Sequence, residues 1–401
     1  MKVLQINTVA NSGSTGRIAE GIGQEVINKG WQSYIAYARA VNPSTSVLIK
    51  IGNAFDYYLH ALITRVTDRH GIGSVYATKK LIKQIHKIDP DIIHLHNIHG
   101  YYLNIEILFK YLKNSQKPIV WTLHDCWTFT GHCSHYEFVD CQKWQTLCNN
   151  CPQKFEYPKS FFDNSKNNFI KKRELFSSLN NLYLVPVSFW LKKQLEKSFF
   201  KEIPAHVINN GIDLNEFKHI KSNLKENLGF TNKFIILGVA STWDDKKGLD
   251  VFIELSKFLN DDFKIVLIGL NQNQINQLPH NIFGKLRTES VNELAQFYSI
   301  ADVFLNPTLQ DTFPTTNLEA QACGTPVITF KSGGSPETIS FETGIVVEKL
   351  DIKNLVIEIK DLYKNRNKYS KKVLRNYAED NFNKNIKFKD YISLYENIIN
   401  F

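Results

Sequence analysis

The densest chemistry in the chain lies between Gln310 and Pro326, in the run QDTFPTTNLEAQACGTP. Asp311 opens a loop after an apolar, strand-like segment, and Glu319 follows on what reads as a helix. Thr315, Thr316 and Asn317 fill the first turn of that helix. Unpaired N–H groups and the positive end of the helix dipole make such a turn a seat for a diphosphate. Glu319 sits about a turn further in, among Leu318, Ala320, Ala322 and Cys323. A carboxylate in an apolar setting needs partners, and neutral hydroxyls such as those of a ribose would serve.

Other loops hold groups of related kinds. Lys247, within Asp244–Gly248, precedes a helix and could neutralise phosphate charge; a self-compensating solvated turn is the alternative reading. Near the N-terminus, Gly13 and Gly16 permit close backbone approach beside Arg17 and a helix start. That spacing is neither the dinucleotide fingerprint nor a P-loop. His94 and His96 alternate along a strand and share one face, with His99, Tyr101 and Tyr102 just beyond. A metal pair is one reading of these histidines; acceptor binding or packing is favoured over it. His124 ends another strand, where a binding role competes with a capping or core role.

Cys133, Cys141, Cys148 and Cys151 crowd one short stretch, and Cys148-Asn149-Asn150-Cys151 has the spacing of half a zinc knuckle. The cluster suggests a structural zinc pinning an irregular loop, with His132 and His135 as substitute ligands; four reduced thiols are the alternative. Cys126 and Cys323 read as ordinary buried residues.

These residues need elements to position them. Hydrophobic residues make up 43% of the 401 and charged residues 22%, which excludes disorder, collagen and coiled coil for the whole chain. Short Val/Ile-rich runs alternate with helix-length amphipathic segments. Strands are predicted at Lys2–Asn7, Ser33–Arg39, Asp91–Ile98, Ile119–Leu123 and Leu182–Val187, then at Phe234–Ala240, Lys264–Gly269, Val303–Asn306, Val327–Phe330 and Ile345–Val347. Continuous rather than alternating hydrophobicity suits strands buried on both faces, hence parallel sheets. The expected fold class is α/β: two doubly wound Rossmann-like domains facing across a cleft, with ligands outside the carboxyl ends of the strands. Their limits are set at 1–205 and 206–380, with a C-terminal helix over 381–401.

The net charge of +9 is uneven. Residues 1–205 hold 25 basic and 15 acidic side chains, and residues 206–401 hold 23 and 24. Such asymmetry points to an anionic partner of the first half, or to a solvated lysine-rich surface. No nucleic-acid motif accompanies the charge, so a nucleic-acid partner is not expected. The N-terminal apolar stretch is too short for a signal-peptide core, and no run reaches the ~20 apolar residues that span a bilayer. A cytoplasmic protein with reduced cysteines is expected.

Six motifs in order resemble the family-4 retaining glycosyltransferases of GT-B architecture. They are Asp311 to Glu319, the Ala-Cys-Gly-Thr-Pro-Val run after it, Gly333 to Glu337, Lys247-Gly248, Asn210 to Asp213, and Thr122 to Asp125. His94 through Cys151 resembles the bacterial exopolysaccharide (colanic-acid-like) branch. The resemblance implies transfer from a nucleotide diphosphate sugar to a growing, lipid-linked surface glycan. It implies that His124 and Asp311 face the transferred sugar and that the C-terminal helix packs on the first domain. The basic first domain would take the acceptor at an anionic membrane's inner face, with His94, His96, His99, Tyr101 and Tyr102 as acceptor groups. Lys247 and the Thr315–Asn317 amides would stabilise the leaving diphosphate, so no catalytic metal is expected. The chain departs from the family pattern at Asp311 (usually Glu), at Thr312 and Pro314 (usually Gly), and at Thr242 (usually Arg). Arg287, Arg17 or Lys246 would then replace the missing cation. The alternative is a nucleotide-sugar-binding or scaffold protein without turnover.

Overall fold

The computed structural model describes residues 1–400, which divide into two compact units. Unit 1 is Met1–Asn209 with the stretch from Asn385 onward, and unit 2 is Asn210–Lys384. Both limits lie a few residues beyond those read from the sequence. The charge imbalance stays with unit 1, which holds 27 basic and 17 acidic side chains.

Unit 1 is built on strands β1 (Lys2–Ile6), β2 (Gln32–Tyr37), β3 (Val47–Lys50), β4 (Ile92–Leu95), β5 (Ile119–Leu123) and β6 (Leu182–Pro186). They pair in parallel in the order β3-β2-β1-β4-β5-β6. β4 and β5 are buried along their whole length, which is why they read as unbroken apolar runs. From Asn385 onward the C-terminal helix Lys384–Ile399 belongs to this unit. Its Phe388, Tyr391 and Tyr395 join Val3, Ile92 and Val120 in one core cluster.

Unit 2 repeats the plan with β7 (Phe234–Val239), β8 (Phe263–Ile268), β9 (Ile282–Lys285), β10 (Val303–Asn306), β11 (Val327–Phe330) and β12 (Gly344–Val347). The order is β12-β11-β10-β7-β8-β9, again wholly parallel. In each sheet the order reverses between two neighbouring strands, β1 and β4 in one and β7 and β10 in the other. Loops leaving such a pair diverge to opposite faces and open a crevice at the carboxyl edge.

Several elements escaped the sequence reading, among them two edge strands, the helix Ala54–Thr67 and the helix Lys371–Phe382. β3 and β9 are short edge strands without a long apolar run. Helix α2 (Ala54–Thr67) escaped because its polarity is inverted: His60 and Thr64 are its buried residues, while Phe55, Tyr58, Leu59, Leu62 and Val66 are exposed. No helix among the described residues is long and apolar enough to cross a membrane.

Candidate active site

In unit 2 the loops after β7 and β10 meet at the reversal point. Leu309 N–H donates to the Lys246 carbonyl at 2.8 Å, and Asp244 caps the turn by accepting from Lys247 N–H at 2.9 Å. Gly248 adopts φ +77°, and a Cβ there would stand 2.5 Å from the Pro307 carbonyl oxygen. The loop can pass β10's end this closely only with glycine. The result is that Lys247 Nζ lies 2.7 Å from Asp311 Oδ2. Asp311 is held in turn: its Oδ1 accepts from Phe313 N–H at 3.2 Å, and its carbonyl accepts from Gly334 N–H at 3.0 Å. That last bond ties in the Gly333-Gly334 loop after β11.

The helix Thr315–Ala322 starts directly behind Asp311, with Pro314 as its N-cap. Proline has no N–H, so the backbone donors of this turn begin at Thr315. Asn317 N–H turns back on the Pro314 carbonyl at 3.3 Å. The Asn317 carboxamide also serves the fold, accepting from Asn306 and donating to Thr338, each at 2.8 Å. Thr315 and Thr316 are therefore the residues of this turn that face outward with N–H groups to give. Glu319 is 5% exposed and accepts the Tyr298 hydroxyl at 2.9 Å. Arg287 is exposed on the loop after β9, on the same carboxyl edge and two strands from β7.

In unit 1 the loops after β1 and β4 occupy the corresponding reversal point. The Thr8 hydroxyl is within hydrogen-bonding distance of the Asn97 and His99 carbonyls, at 3.0 and 2.9 Å, and so ties the two loops together. Helix α1 (Gly13–Asn28) begins at Gly13, with Gly16 buried and Arg17 exposed. A Cβ on Gly16 would meet Val9 Cγ2 at 3.0 Å and Asn11 N at 3.2 Å, so this glycine serves tight packing of the turn.

The histidines separate into different roles. His94 is fully buried, its Nδ1 2.6 Å from the Tyr395 hydroxyl and its Nε2 2.8 Å from Thr122 Oγ1. Both nitrogens are spent on attaching the C-terminal helix to the sheet, which removes His94 from the acceptor set. His96, 1% exposed, bridges Gln5 and His124: its Nε2 is 3.0 Å from Gln5 Oε1, and its Nδ1 is 3.1 Å from His124 Nε2. It positions His124 and does not reach a ligand. Tyr102 is also corrected: it is 3% exposed and donates its hydroxyl to the Asn97 carbonyl, a core role.

The protons of this chain follow from chemistry. Gln5 Nε2 donates to the Ala19 carbonyl at 2.8 Å, so Gln5 turns its acceptor oxygen to His96. His96 therefore carries its proton on Nε2. Burial, with the nearby His94 and His124, holds His96 well below the usual imidazole range, so it is neutral. Its bare Nδ1 then accepts from His124 Nε2–H. Burial likewise takes His124 down to about 4, against a smaller upward pull from Asp125. At neutral pH His124 is a neutral ring whose Nδ1 can act only as an acceptor.

Beside His124 lies a second chain that the sequence reading left unassigned. His99 Nε2 is 2.7 Å from Asp125 Oδ2, and its Nδ1 is 2.8 Å from the Tyr157 hydroxyl. Burial would raise Asp125, but the charge of His99 and its hydrogen bond outweigh it and bring the carboxyl to about 2. Tyr101 packs edge-on against Tyr57, His70 and Tyr157. His70, Tyr157 and Tyr57 come from segments far apart in sequence, with no motif to join them. Asp125 alone had a signal, its adjacency to His124 at a strand end.

The four clustered cysteines line one small cavity together with His132. Among the described residues no three His, Cys, Asp or Glu side chains stand at distances that would hold a metal ion. Cys126 and Cys323 are fully buried.

Two family models match the chain: Glycosyltransferase Family 4 over residues 17–216 and Glycosyl transferases group 1 over residues 220–381. A putative colanic acid biosynthesis glycosyl transferase, WcaC of Escherichia coli (strain K12), is 24% identical over 377 residues, covering 89% of each chain. The sucrose-phosphate synthase of Thermosynechococcus elongatus superposes with a TM-score of 0.74 at 16% identity, over 99% of this chain and 98% of that one. Anabaena HepE in complex with UDP superposes with a TM-score of 0.69 at 14% identity, over 99% and 100%. Two parallel sheets of the same strand order, each carrying its polar groups at the reversal point, agree with these likenesses: the chain belongs to the family-4 and group-1 glycosyltransferases, built on the GT-B fold.

Proposed function

We propose that the chain transfers a sugar, with retention of configuration, from a nucleotide diphosphate sugar to a lipid-linked surface glycan, without a catalytic metal. The observation that carries this is the Lys247–Asp311 pair, 2.7 Å apart at the reversal point of the second sheet. It stands where the helix Thr315–Ala322 presents its first N–H groups. A diphosphate taking over the Lys247 ammonium gains a fixed cation and backbone donors, which strengthen as the leaving group gathers charge. Asp311 is then left close to the sugar carbon, where a carboxylate supports an oxocarbenium-like centre. Glu319 takes the ribose hydroxyls, and Arg287, Arg17 or Lys246 adds the further phosphate contact. His124, neutral and turned by His96, accepts from a hydroxyl of the transferred sugar. Tyr101 and His99 form the acceptor wall. HepE, whose solved structure holds UDP, supports the donor class, and WcaC supports the glycan pathway.

Unit 1 also carries a surface suited to an anionic membrane. Phe55, Tyr58, Leu59, Leu62 and Val66 follow helical spacing and form an outward stripe on α2. Phe161 and Phe162 are also exposed, and Phe161 N–H bonds the Arg65 carbonyl at the end of α2. Arg65, Arg69, Lys79 and Lys80 are exposed nearby in sequence. Apolar side chains beside basic ones are what insertion among acidic headgroups requires. This surface supports a reading of peripheral placement on the inner face of the plasma membrane, where a lipid-linked acceptor would lie within reach.

A thermal-shift screen with UDP-, GDP-, ADP- and TDP-sugars tests the donor assignment. One nucleotide class should raise the melting temperature. A flat response to all four, at concentrations that saturate related enzymes, would contradict it.

A further inference from the structure

The segment between β5 and the helix Ser165–Phe176 is long and irregular, broken only by the single turns Trp127–Phe129, Glu137–Val139 and Lys143–Gln145. Such a segment in a compact unit needs something to hold it. At its centre is a cavity of about 20 Å³, lined by Cys133, Cys141, Cys148 and Cys151 with His132 and Trp144. That volume admits one water-sized body. The four thiols share this lining and Cys133 pairs with Cys151, while no three of the groups yet stand at metal-binding distances, so binding must draw the sulfurs together. We propose that these four sulfurs bind one structural Zn²⁺ as a tetrahedral thiolate site.

The surroundings fit such a group. Gly131 N–H donates to Cys148 Sγ at 3.2 Å. A Cβ on Gly131 would meet the Ser165 carbonyl oxygen at 2.2 Å and Cys148 Cβ at 2.7 Å, so the backbone lies tight against the sulfur. His132 Nδ1 is fixed 2.5 Å from Asp68 Oδ1, while its buried Nε2 has no hydrogen-bond partner. Trp144 Nε1 is likewise buried and without a partner. Buried polar atoms are almost always satisfied, and both of these line the cavity. An indole N–H is a donor that a zinc–tetrathiolate group, negative overall, takes in its outer shell, and His132, with Nδ1–H turned to Asp68, holds a bare Nε2 that can stand in as a ligand. Lys172 is fully buried with its ammonium on the Trp127 and Thr130 carbonyls, at 2.7 and 3.0 Å. A cation so placed costs less beside an anionic cluster. On binding, four S–H bonds give way to four Zn–S bonds, and four protons leave to solvent. The metal pins the loop that presents Tyr157 to His99 and takes no part in transfer.

The full chain, expressed in zinc-supplemented medium and purified under reducing conditions, should contain about one zinc per chain by elemental analysis. A mercurial reagent that titrates the thiols should release it to a chromophoric chelator. Cobalt(II) in place of zinc should give a sulfur-to-metal charge-transfer band and the d–d bands of a tetrahedral thiolate set. Cys148→Ser can lose the fold, so Cys151→His supplies a second variant: it should keep the metal with an altered cobalt spectrum. Cys323→Ser should leave the stoichiometry unchanged. Reduced protein without zinc and without a cobalt spectrum overturns the proposal, as do the same cysteines found paired as disulfides. Donor binding by the metal-free chain would leave the transferase reading intact, so the two can fail separately.

Discussion

His96 Nδ1 stands 3.1 Å from His124 Nε2, with the two rings within 14° of parallel. The contact has a direction because Gln5, committed to the Ala19 carbonyl, offers His96 only an acceptor. At pH 7 both rings should be neutral with the proton on Nε2. Long-range ¹⁵N–¹H correlation of labelled histidines reads this directly. Gln5→Glu should raise the titration of the pair, because a buried carboxylate favours the imidazolium. A His96 proton on Nδ1 in the wild type would contradict the assignment.

Tyr395→Phe separates fold from function at His94. Removing the hydroxyl leaves the buried His94 Nδ1 without its partner, a loss of about 1–3 kcal/mol in stability. Acceptor KM should not change. A raised KM with unchanged stability would return His94 to the acceptor site.

Acid should weaken unit 1 through its buried histidines. Burial lowers His60 and His124 to about 4 and His94 to about 3, with His70 and His96 well below their usual range. Unfolded, each takes up a proton near 6.5; folded, each resists. The stability is therefore complete above about 6.5 and falls as pH drops toward 4, by up to about 1.4 kcal/mol per histidine per pH unit. Five of the six tryptophans lie in unit 1, so tryptophan fluorescence in urea titrations at pH 7.5 and 5 follows this unit. Equal midpoints at the two pH values would refute it.

Gly248→Ala should cost more than about 1 kcal/mol, since φ is positive and the added methyl meets the Pro307 carbonyl. Displacing the loop moves Lys247 from Asp311, so protection by nucleoside diphosphate should fall with it. Glu319→Gln keeps an acceptor for Tyr298, and should hold the melting temperature while weakening nucleotide protection.

Vesicles rich in acidic lipid should bind the chain in a salt-sensitive way, and Phe55→Ser with Leu62→Ser should weaken that binding. Equal binding to neutral vesicles, or none at low salt, would return the excess charge of unit 1 to an ordinary solvated surface.

Most strands were legible because burial on both faces writes itself as unbroken apolar runs, as in Ile119–Leu123. Helix α2 was not, because its apolar side faces out. At the site, Asp311, Lys247 and Glu319 were legible from local motifs on loops that follow strands. His94 and Tyr102 misled, since a strand histidine reads alike whether it meets a ligand or the Tyr395 hydroxyl. Asp125 with His99 and Tyr157, and Gln5 behind His96, depend on pairings between distant segments that spacing does not encode.

Transfer itself is tested by following donor turnover by ¹H NMR, using the nucleotide sugar that the thermal screen selects and no added acceptor. Wild type should release sugar slowly, first in the anomeric form of the donor, and Lys247→Ala should slow this by about 10²–10³-fold. Binding without release, or equal release by wild type and Lys247→Ala, would contradict a transferase working through Lys247 and favour a nucleotide-sugar-binding scaffold.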